Sequence, residues 1–298
     1  MKNTTYPVVL FLYQRPQATR KIIDLVIKAK IKKIYIFADG PKSSQEKIIT
    51  SQLKSLINHY IKKYPKTTFI PKFSSKNIGL KDNIITGLNQ VFRKESAAII
   101  WEDDCIPSPD FFKFTTQMLT KYKNNPKIMS VTGSGVGEFS KFSYDFSRYQ
   151  QCWGWGTWKR AWKLYDPTLS NLKPLSWKDK YMKIYFNTML FLTKVGQVKS
   201  WAFKWSYTHF VNHGLAIIPT GNLISNIGFD QVATNTKTKS PLSNLKLNKL
   251  TLPLTHPKSV KENLKLSRQI EKMYYKNIIA FLGMARQFIY YQCKKLCA

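Results

Sequence analysis

Apolar runs and helical stripes alternate along the first half of the chain. Residues 8–13 (VVLFLY) form a continuous apolar run between Pro7 and Pro16, which reads as a buried strand. Residues 17–30 then place Ile22, Ile23, Val26 and Ile27 at helical spacing. A second strand over 34–38 is closed by Asp39-Gly40-Pro41, a strong turn signal. The pattern goes on with a helix over 44–64, a strand over 67–70, a helix over 80–93 and a strand over 97–101. A helix over 107–122 and a strand over 128–132 complete the series. Strands alternating with helices imply right-handed crossovers and a mostly parallel sheet, hence an α/β fold. Ligands on such sheets sit at the carboxyl ends of the strands. Three polar clusters fall there: Gln14-Arg15, Asp39-Gly40 and Glu102-Asp103-Asp104.

From about residue 140 the pattern loses its regularity. Trp153, Trp155, Trp158, Trp162 and Trp177 crowd together, followed by Trp201 and Trp205, and no clean period fits QCWGWGTWKRAW. A second, less regular lobe on the same core is predicted. Residues 239–265 are polar and Pro-interrupted, which reads as loop. Residues 267–297 read as helix, with Ile270, Met273, Ile278, Phe281, Leu282, Phe288 and Ile289 interleaved with Lys and Arg.

Composition changes the picture in one respect. Of 298 residues, 48 are Lys or Arg and 16 are Asp or Glu, so the formal net charge is +32. With 14% aromatic residues the chain is globular rather than a disordered basic tail. The charge points to an anionic partner without choosing among nucleic acid, membrane and phosphorylated small molecule. No helix-turn-helix, zinc-finger or RNP-type pattern supports nucleic acid, and that partner is not expected. Cys105, Cys152, Cys293 and Cys297 show no paired spacing and read as reduced thiols. No signal pattern opens the chain, and no apolar run reaches the ~18 residues that a membrane span needs. The expectation is a soluble intracellular protein, cytoplasmic or peripheral on the inner face of the membrane.

Against so few acids, Glu102-Asp103-Asp104 stands out. Three adjacent carboxylates after the buried run AAIIW repel one another unless a divalent cation or basic groups neutralise them. Carboxylates suit Mg²⁺ and Mn²⁺, which leave positions for phosphate oxygens. A solvated acidic turn, or acids at a helix N-terminus, is the plainer alternative.

The segments VVLFLYQRP, IYIFADGPK, KNIGLKDNIITGL, IIWEDDCIPSPDFF, QCWGWGTWKRAW and GLAIIPTGNLISNIGF, in this order, resemble a bacterial GT-A-fold glycosyltransferase similar to the N-acetylglucosaminyltransferase I-like group. The resemblance spans roughly residues 6–236. It implies a Rossmann-like GT-A domain over 1–236, with a nucleotide-sugar half (1–135) and an acceptor half (136–236). A basic linker and amphipathic helix (237–298) would follow. It implies Asp104 and Asp103 on Mn²⁺ or Mg²⁺, Asp103 also toward ribose, and Glu102 toward the donor sugar. Arg15 and Asp39 would hold base and diphosphate, with Asn77, Gly79 and Lys81 at a helix N-terminus that favours anions. The donor implied is a nucleotide-sugar, a UDP-sugar foremost. The acceptor is a hydroxyl of a bacterial surface glycan, as in polysaccharide biosynthesis, or of a lipid-linked glycan.

Two positions depart from the family pattern. An inverting member needs a carboxylate base just after Trp201, and this chain has Ala202. Either Ala202 is an engineered change, or the base lies elsewhere with Asp230 the nearest candidate, or the chain is silent or mechanistically different. Asn235 stands where relatives often carry a metal-shell His. Trp153, Trp155 and Trp158 are the acceptor-side candidates, because sugar rings stack on aromatic faces; core packing is the commoner use of Trp. Gly154 and Gly156 imply a tight loop or close backbone approach. The basic C-terminal helix fits an anionic membrane surface, and packing on the domain is its alternative. A catalytically silent GT-A-like binding module is the competing function, and a basic nucleic-acid-binding protein the more distant one. The sequence leaves the oligomeric state open.

Overall fold

The computed structural model describes residues 6–137, 139–170, 172–173, 175, 177–228, 245–276 and 278–296. In chain order the elements are β1 (Val8–Leu12), α1 (Pro16–Lys28), β2 (Lys33–Ala38), α2 (Ser44–Lys63) and β3 (Thr68–Phe73). Next come α3 (Leu80–Lys94), β4 (Ala97–Glu102), β5 (Cys105–Pro107), α4 (Pro109–Lys121), β6 (Ile128–Thr132) and β7 (Tyr144–Ser147). The second half adds β8 (Trp155–Trp158), α5 (Lys159–Trp162), α6 (Lys180–Lys194), α7 (Trp201–Val211), β9 (Leu215–Pro219) and β10 (Ile224–Asn226). The chain closes with α8 (Leu264–Ile270), a π-helical turn (Glu271–Tyr275) and α9 (Ile278–Leu296).

The eight-stranded sheet runs β3-β2-β1-β4-β8-β6-β9-β7. Six of its strands point one way, while β8 and β7 run against their neighbours. The expected α/β fold with a mostly parallel central sheet flanked by helices is therefore present. β5 and β10 form a small antiparallel pair beside it.

Strand alternation divides the core. Val8, Leu10, Leu12, Ile34, Ile36 and Ala38 face one side, against α1, α2 and α4. Val9, Phe11, Tyr35, Phe37, Ala98 and Ile100 face the other, against α3, α5 and α7. Because both faces are covered, the strands read as continuous apolar runs. Local signals set the helix starts. Pro16 opens α1 at a position where no N–H is needed. Ser43 Oγ accepts the Glu46 amide (3.2 Å) at the start of α2. Asp179, Ser200 and Asn263 cap α6, α7 and α8 in the same way.

Two boundaries move from expectation. The helix predicted from 107 begins at Pro109, because residues 105–107 pair with β10. The helix predicted over 267–297 starts earlier, at Leu264, and is interrupted by the π turn before α9.

A third cluster underlies the second lobe, joining Tyr149, Met182, Phe186, Tyr207 and Ile218 to Leu266 and Ile270 of α8. Polar contacts stitch the C-terminal chain to β7 and the residues after it. The Asn263 amide donates to Phe146 O (2.8 Å), and its side chain to Asp145 (2.7 Å). Arg148 holds Glu262 through two nitrogens at 2.8 Å each. Tyr149 OH donates to Glu271 (2.7 Å).

Candidate functional site

β1 lies between β2 and β4, so the chain moves outward through β2 and β3 and then crosses back to β4. Strand order reverses between β1 and β4, and a crevice opens at such a switch point beyond the carboxyl ends. Arg15 follows β1 there, and Glu102 ends β4. β8 brings a third segment: Trp155 sits opposite Ile100, so residues 150–154 reach the same end. The C-terminus of α7 feeds β9, which places the N-terminus of α7, with Ala202, at this end too.

The three carboxylates of β4 are held differently. Asp103 is buried, and its Oδ2 accepts the Tyr13 amide (2.7 Å) while Arg15 Nη1 lies 3.6 Å from Oδ1. Burial pushes the Asp103 carboxyl up to about 6, helped by Asp104 and opposed by the Tyr13 amide and Arg15. Glu102 is raised well above the usual carboxylate range, first by burial, then by Asp104 and Asp103, with Arg15 opposing. Asp104 is half-buried; its Oδ1 accepts the Cys105 thiol (3.3 Å), and its backbone oxygen takes the Ile227 amide (2.8 Å). A Cβ on Gly228 would lie 2.3 Å from Asp104 Oδ2, so only glycine lets the chain after β10 pass this carboxylate. Cys105 and Cys152 are both held far up as neutral thiols, mainly by burial and partly by the charges of Glu102 and Asp104.

Asp39 has a different employment. Its Oδ1 accepts the Gly40 and Ile78 amides (2.8 and 2.9 Å), and Oδ2 accepts Gly79 N (2.9 Å). Asn77 Nδ2 donates to Gly40 O (2.8 Å). These bonds clasp the loops that follow β2 and β3. Gly79 caps α3 at φ 80°, a left-handed backbone that glycine adopts without strain. Lys81 stands in the first turn of α3 and pairs with Asp82 (3.3 Å), not with the triplet.

The tryptophan expectation is corrected. Trp155 is 1% exposed and packs among Trp162, Trp201 and Trp205. Trp158 is 3% exposed, and its Nε1 donates to Leu119 O (3.1 Å). Both lie on β8 inside the sheet, where the core occupies both faces, so neither can stack on a sugar. Trp153 precedes β8 and stays half-buried, its ring 6.1 Å from that of Tyr274. Gly154 has φ 62°, and a Cβ on Gly156 would meet Thr115 at 2.7 Å, as the tight-loop reading anticipated.

Sequence reasoning missed three groups at this end. Gln150 and Gln151 are buried, yet Gln150 Oε1 and Gln151 Nε2 have no hydrogen-bond partner. Gln150 Nε2 donates to Ser206 Oγ (3.0 Å) and to Ala202 O (3.4 Å), tying it to the first turns of α7. The Tyr274 hydroxyl, carried in by the π turn, is also buried without a partner. Burial holds this hydroxyl neutral, far above the usual tyrosine range, with Cys152 a smaller contributor. Buried polar atoms without partners were the signal, and it exists only in three dimensions. Ala202 is half-buried against the Trp-rich cluster. Asp230 and Asn235 lie outside the described residues.

The donor set suits a hard divalent cation. Glu102 and Asp104 supply oxygen alone, and their mutual repulsion is the electrostatic defect a cation removes. Asp103 is turned to the loop after β1, which argues against the expected Asp104–Asp103 pair and for Glu102 with Asp104. No group of three or more His, Cys, Asp and Glu forms a ready cage among the described residues. Mg²⁺-type sites commonly take one or two carboxylates and complete themselves with water and substrate phosphate.

No family model matches the chain, and no curated protein matches it. Among solved structures it is similar to a mannosyltransferase from Pyrobaculum calidifontis in complex with GDP-Man and Mn²⁺, at 12% identity and TM-score 0.35 over 64% of this chain and 54% of that one. The chain thus spans about half the length of that mannosyltransferase (54%). It is also similar to a 4-diphosphocytidyl-2C-methyl-D-erythritol synthase from Anaerococcus prevotii, at 12% identity and TM-score 0.37 over 62% and 83% of the two chains. An apo UDP-glucose pyrophosphorylase gives 12% identity and TM-score 0.35 over 72% and 91%. Such likeness is one of coarse architecture, and the chemistry rests on the residues above.

Proposed function

We propose that the chain is a metal-dependent glycosyltransferase. It would move a sugar from a UDP-sugar to a hydroxyl of a bacterial surface glycan or lipid-linked acceptor, at the anionic membrane surface. The observation that carries this reading is the acidic triplet at the β1/β4 switch point, where three carboxylates crowd together and Asp104 and Asp103 raise Glu102 against the opposing charge of Arg15. In this reading Glu102 and Asp104 hold Mn²⁺ or Mg²⁺. When bound, the metal supplies a Lewis acid to the departing diphosphate. Arg15, fixed by Asp103, stands beside the diphosphate. Asp39 and Asn77 act by holding the strand-end loops in the shape that receives the nucleotide. Gln150 and Gln151 present amide groups to sugar hydroxyls, and Trp153 with Tyr274 forms the aromatic wall on the acceptor side. Titration calorimetry with UDP tests the reading. Binding is expected with Mn²⁺ and lost with chelator; no metal-dependent binding of any nucleoside diphosphate would overturn it.

A second reading has its own observation. Position 202, where an inverting enzyme of the resembling group keeps its base, carries a methyl group packed against a hydrophobic cluster. A binding module that no longer transfers sugar would look the same. Ala202→Asp separates the two. Gain of donor hydrolysis supports the transferase scaffold, and silence of both forms across a broad donor panel supports the module.

A further inference from the structure

Two helices distant in sequence pack side by side on the second lobe. The rings of Phe191 on α6 and Tyr291 on α9 meet edge-on at 5.3 Å. Just beyond α6, Gln197 donates to Gln287 (3.1 Å). This contact uses the stripe of α9 that carries Met284, Gln287 and Tyr291. At 100° per residue, Phe281, Leu282, Phe288 and Ile289 fall on an adjoining arc, and they remain 38–61% exposed. α6 continues the surface with Ile184 and Phe191, extended by Val195 at its C-cap. Their spacing of seven and four residues sets them in one stripe, and all three are exposed. Contiguous exposed apolar surface of this kind marks an interaction site.

The charge around it has one sign. Lys183, Lys194, Lys199, Arg286 and Lys294 are exposed. The sequence has no acid from residue 180 to 228 and none after Glu271. Apolar side chains rimmed by bases, with acids excluded, complement an anionic lipid surface: the chains enter the headgroup boundary and the bases meet phosphates. No helix among the described residues is long and apolar enough to cross a membrane, so this contact is interfacial. We propose that α6 and α9 together form one membrane-binding face, not a lone C-terminal helix.

The proposal rests on the transferase reading in one consequence only. α6 ends at Lys194 and α7 begins at Trp201, so the face adjoins the segment that brings position 202 to the site. An acceptor anchored in the same lipid surface then reaches the acceptor side without leaving it.

Sedimentation with vesicles tests the face on the full chain. Vesicles of phosphatidylcholine alone are compared with vesicles that also contain phosphatidylglycerol. Partitioning to the anionic vesicles is expected to be at least roughly tenfold stronger and to weaken with salt. The α9 pair Leu282→Gln/Ile289→Gln and the α6 pair Ile184→Gln/Val195→Gln should each reduce it by roughly tenfold. Metal-dependent UDP binding and circular dichroism of both variants should match the parent. Equal binding to both vesicle types overturns the proposal, as does an α6 pair without effect. So does absence of lipid binding together with a stable dimer that the α9 pair dissolves, because a second copy then covers the face. Lipid binding that persists while no protein binds nucleotide removes the transferase reading and leaves the face standing.

Discussion

Asp39 and the Glu102–Asp104 triplet stand at the ends of two strands of one sheet, and they are opposite solutions to the same problem. Asp39 follows β2 nearly buried and receives three backbone N–H donors, from Gly40, Ile78 and Gly79. Its charge is answered by the protein, and what it achieves is the shape of two loops. At the end of β4, three carboxylates follow one another, and burial together with the charge of Asp104 raises both Glu102 and Asp103. Asp39 is bound up in backbone hydrogen bonds within its loops, whereas the negative charge gathered at the end of β4 is the kind that a cation relieves. That difference marks the candidate site more directly than the excess of bases does.

The largest expected effect breaks this contrast at its acidic side. Asp104→Asn should weaken metal-dependent UDP binding by at least roughly a hundredfold in calorimetry, with no loss of unfolding free energy, because it removes repulsion. A destabilised variant with intact binding would reverse the assignment. Asp39→Asn should do the opposite. It leaves backbone donors facing an amide, and denaturant unfolding should fall by about 2–3 kcal/mol.

A third buried group sharpens the contrast with pH. His209 is buried; its Nδ1 donates to Trp205 O (3.0 Å), and Nε2 pairs with Ser130 Oγ (3.0 Å). Burial lowers it to about 4, so the folded state holds the neutral ring. The unfolded chain binds that proton near pH 6.5, so stability is intact above 6.5 and is lost as pH falls toward 4. Between pH 7 and 5 the loss attributable to His209 should be about 2 kcal/mol, and His209→Gln should remove that slope in chemical unfolding. The smallest effect concerns a neutral group. Tyr274→Phe deletes a buried, unpartnered hydroxyl and should raise stability by about 1 kcal/mol. If it also weakens acceptor use, the hydroxyl serves the substrate.

The parallel half of the sheet was legible because its information is local. Each strand is an apolar run, each helix a stripe with its own cap or proline, and the triplet stands out against a basic chain. The short strands β5, β7, β8 and β10 were not legible, since partners far along the chain define them. Trp155 and Trp158 were misread for a related reason. A tryptophan on a core strand and one at a sugar site look alike until the sheet order places β8 between β4 and β6. Tyr274 reaches the site across more than a hundred residues, through a π turn that no periodicity announces. The clasp of Asp39 on residues 77–79 was visible only as turn chemistry, although its residues had been singled out.

The stitching of the C-terminal chain to β7 has a consequence for solubility. An open sheet has two edges, and each is a template on which another strand can add. One edge here is β3, which carries Pro71, without an N–H to offer, and Lys72 beside it. The other is β7, which has no such residues. It is shielded instead by chain from the far end of the sequence: Thr255 bonds back to Ser143, and Asn263 takes Phe146 O. Residues 255–263, within a stretch that reads as a loose basic linker, thus serve as an edge guard. Cutting them away would leave the β7 edge open to self-association.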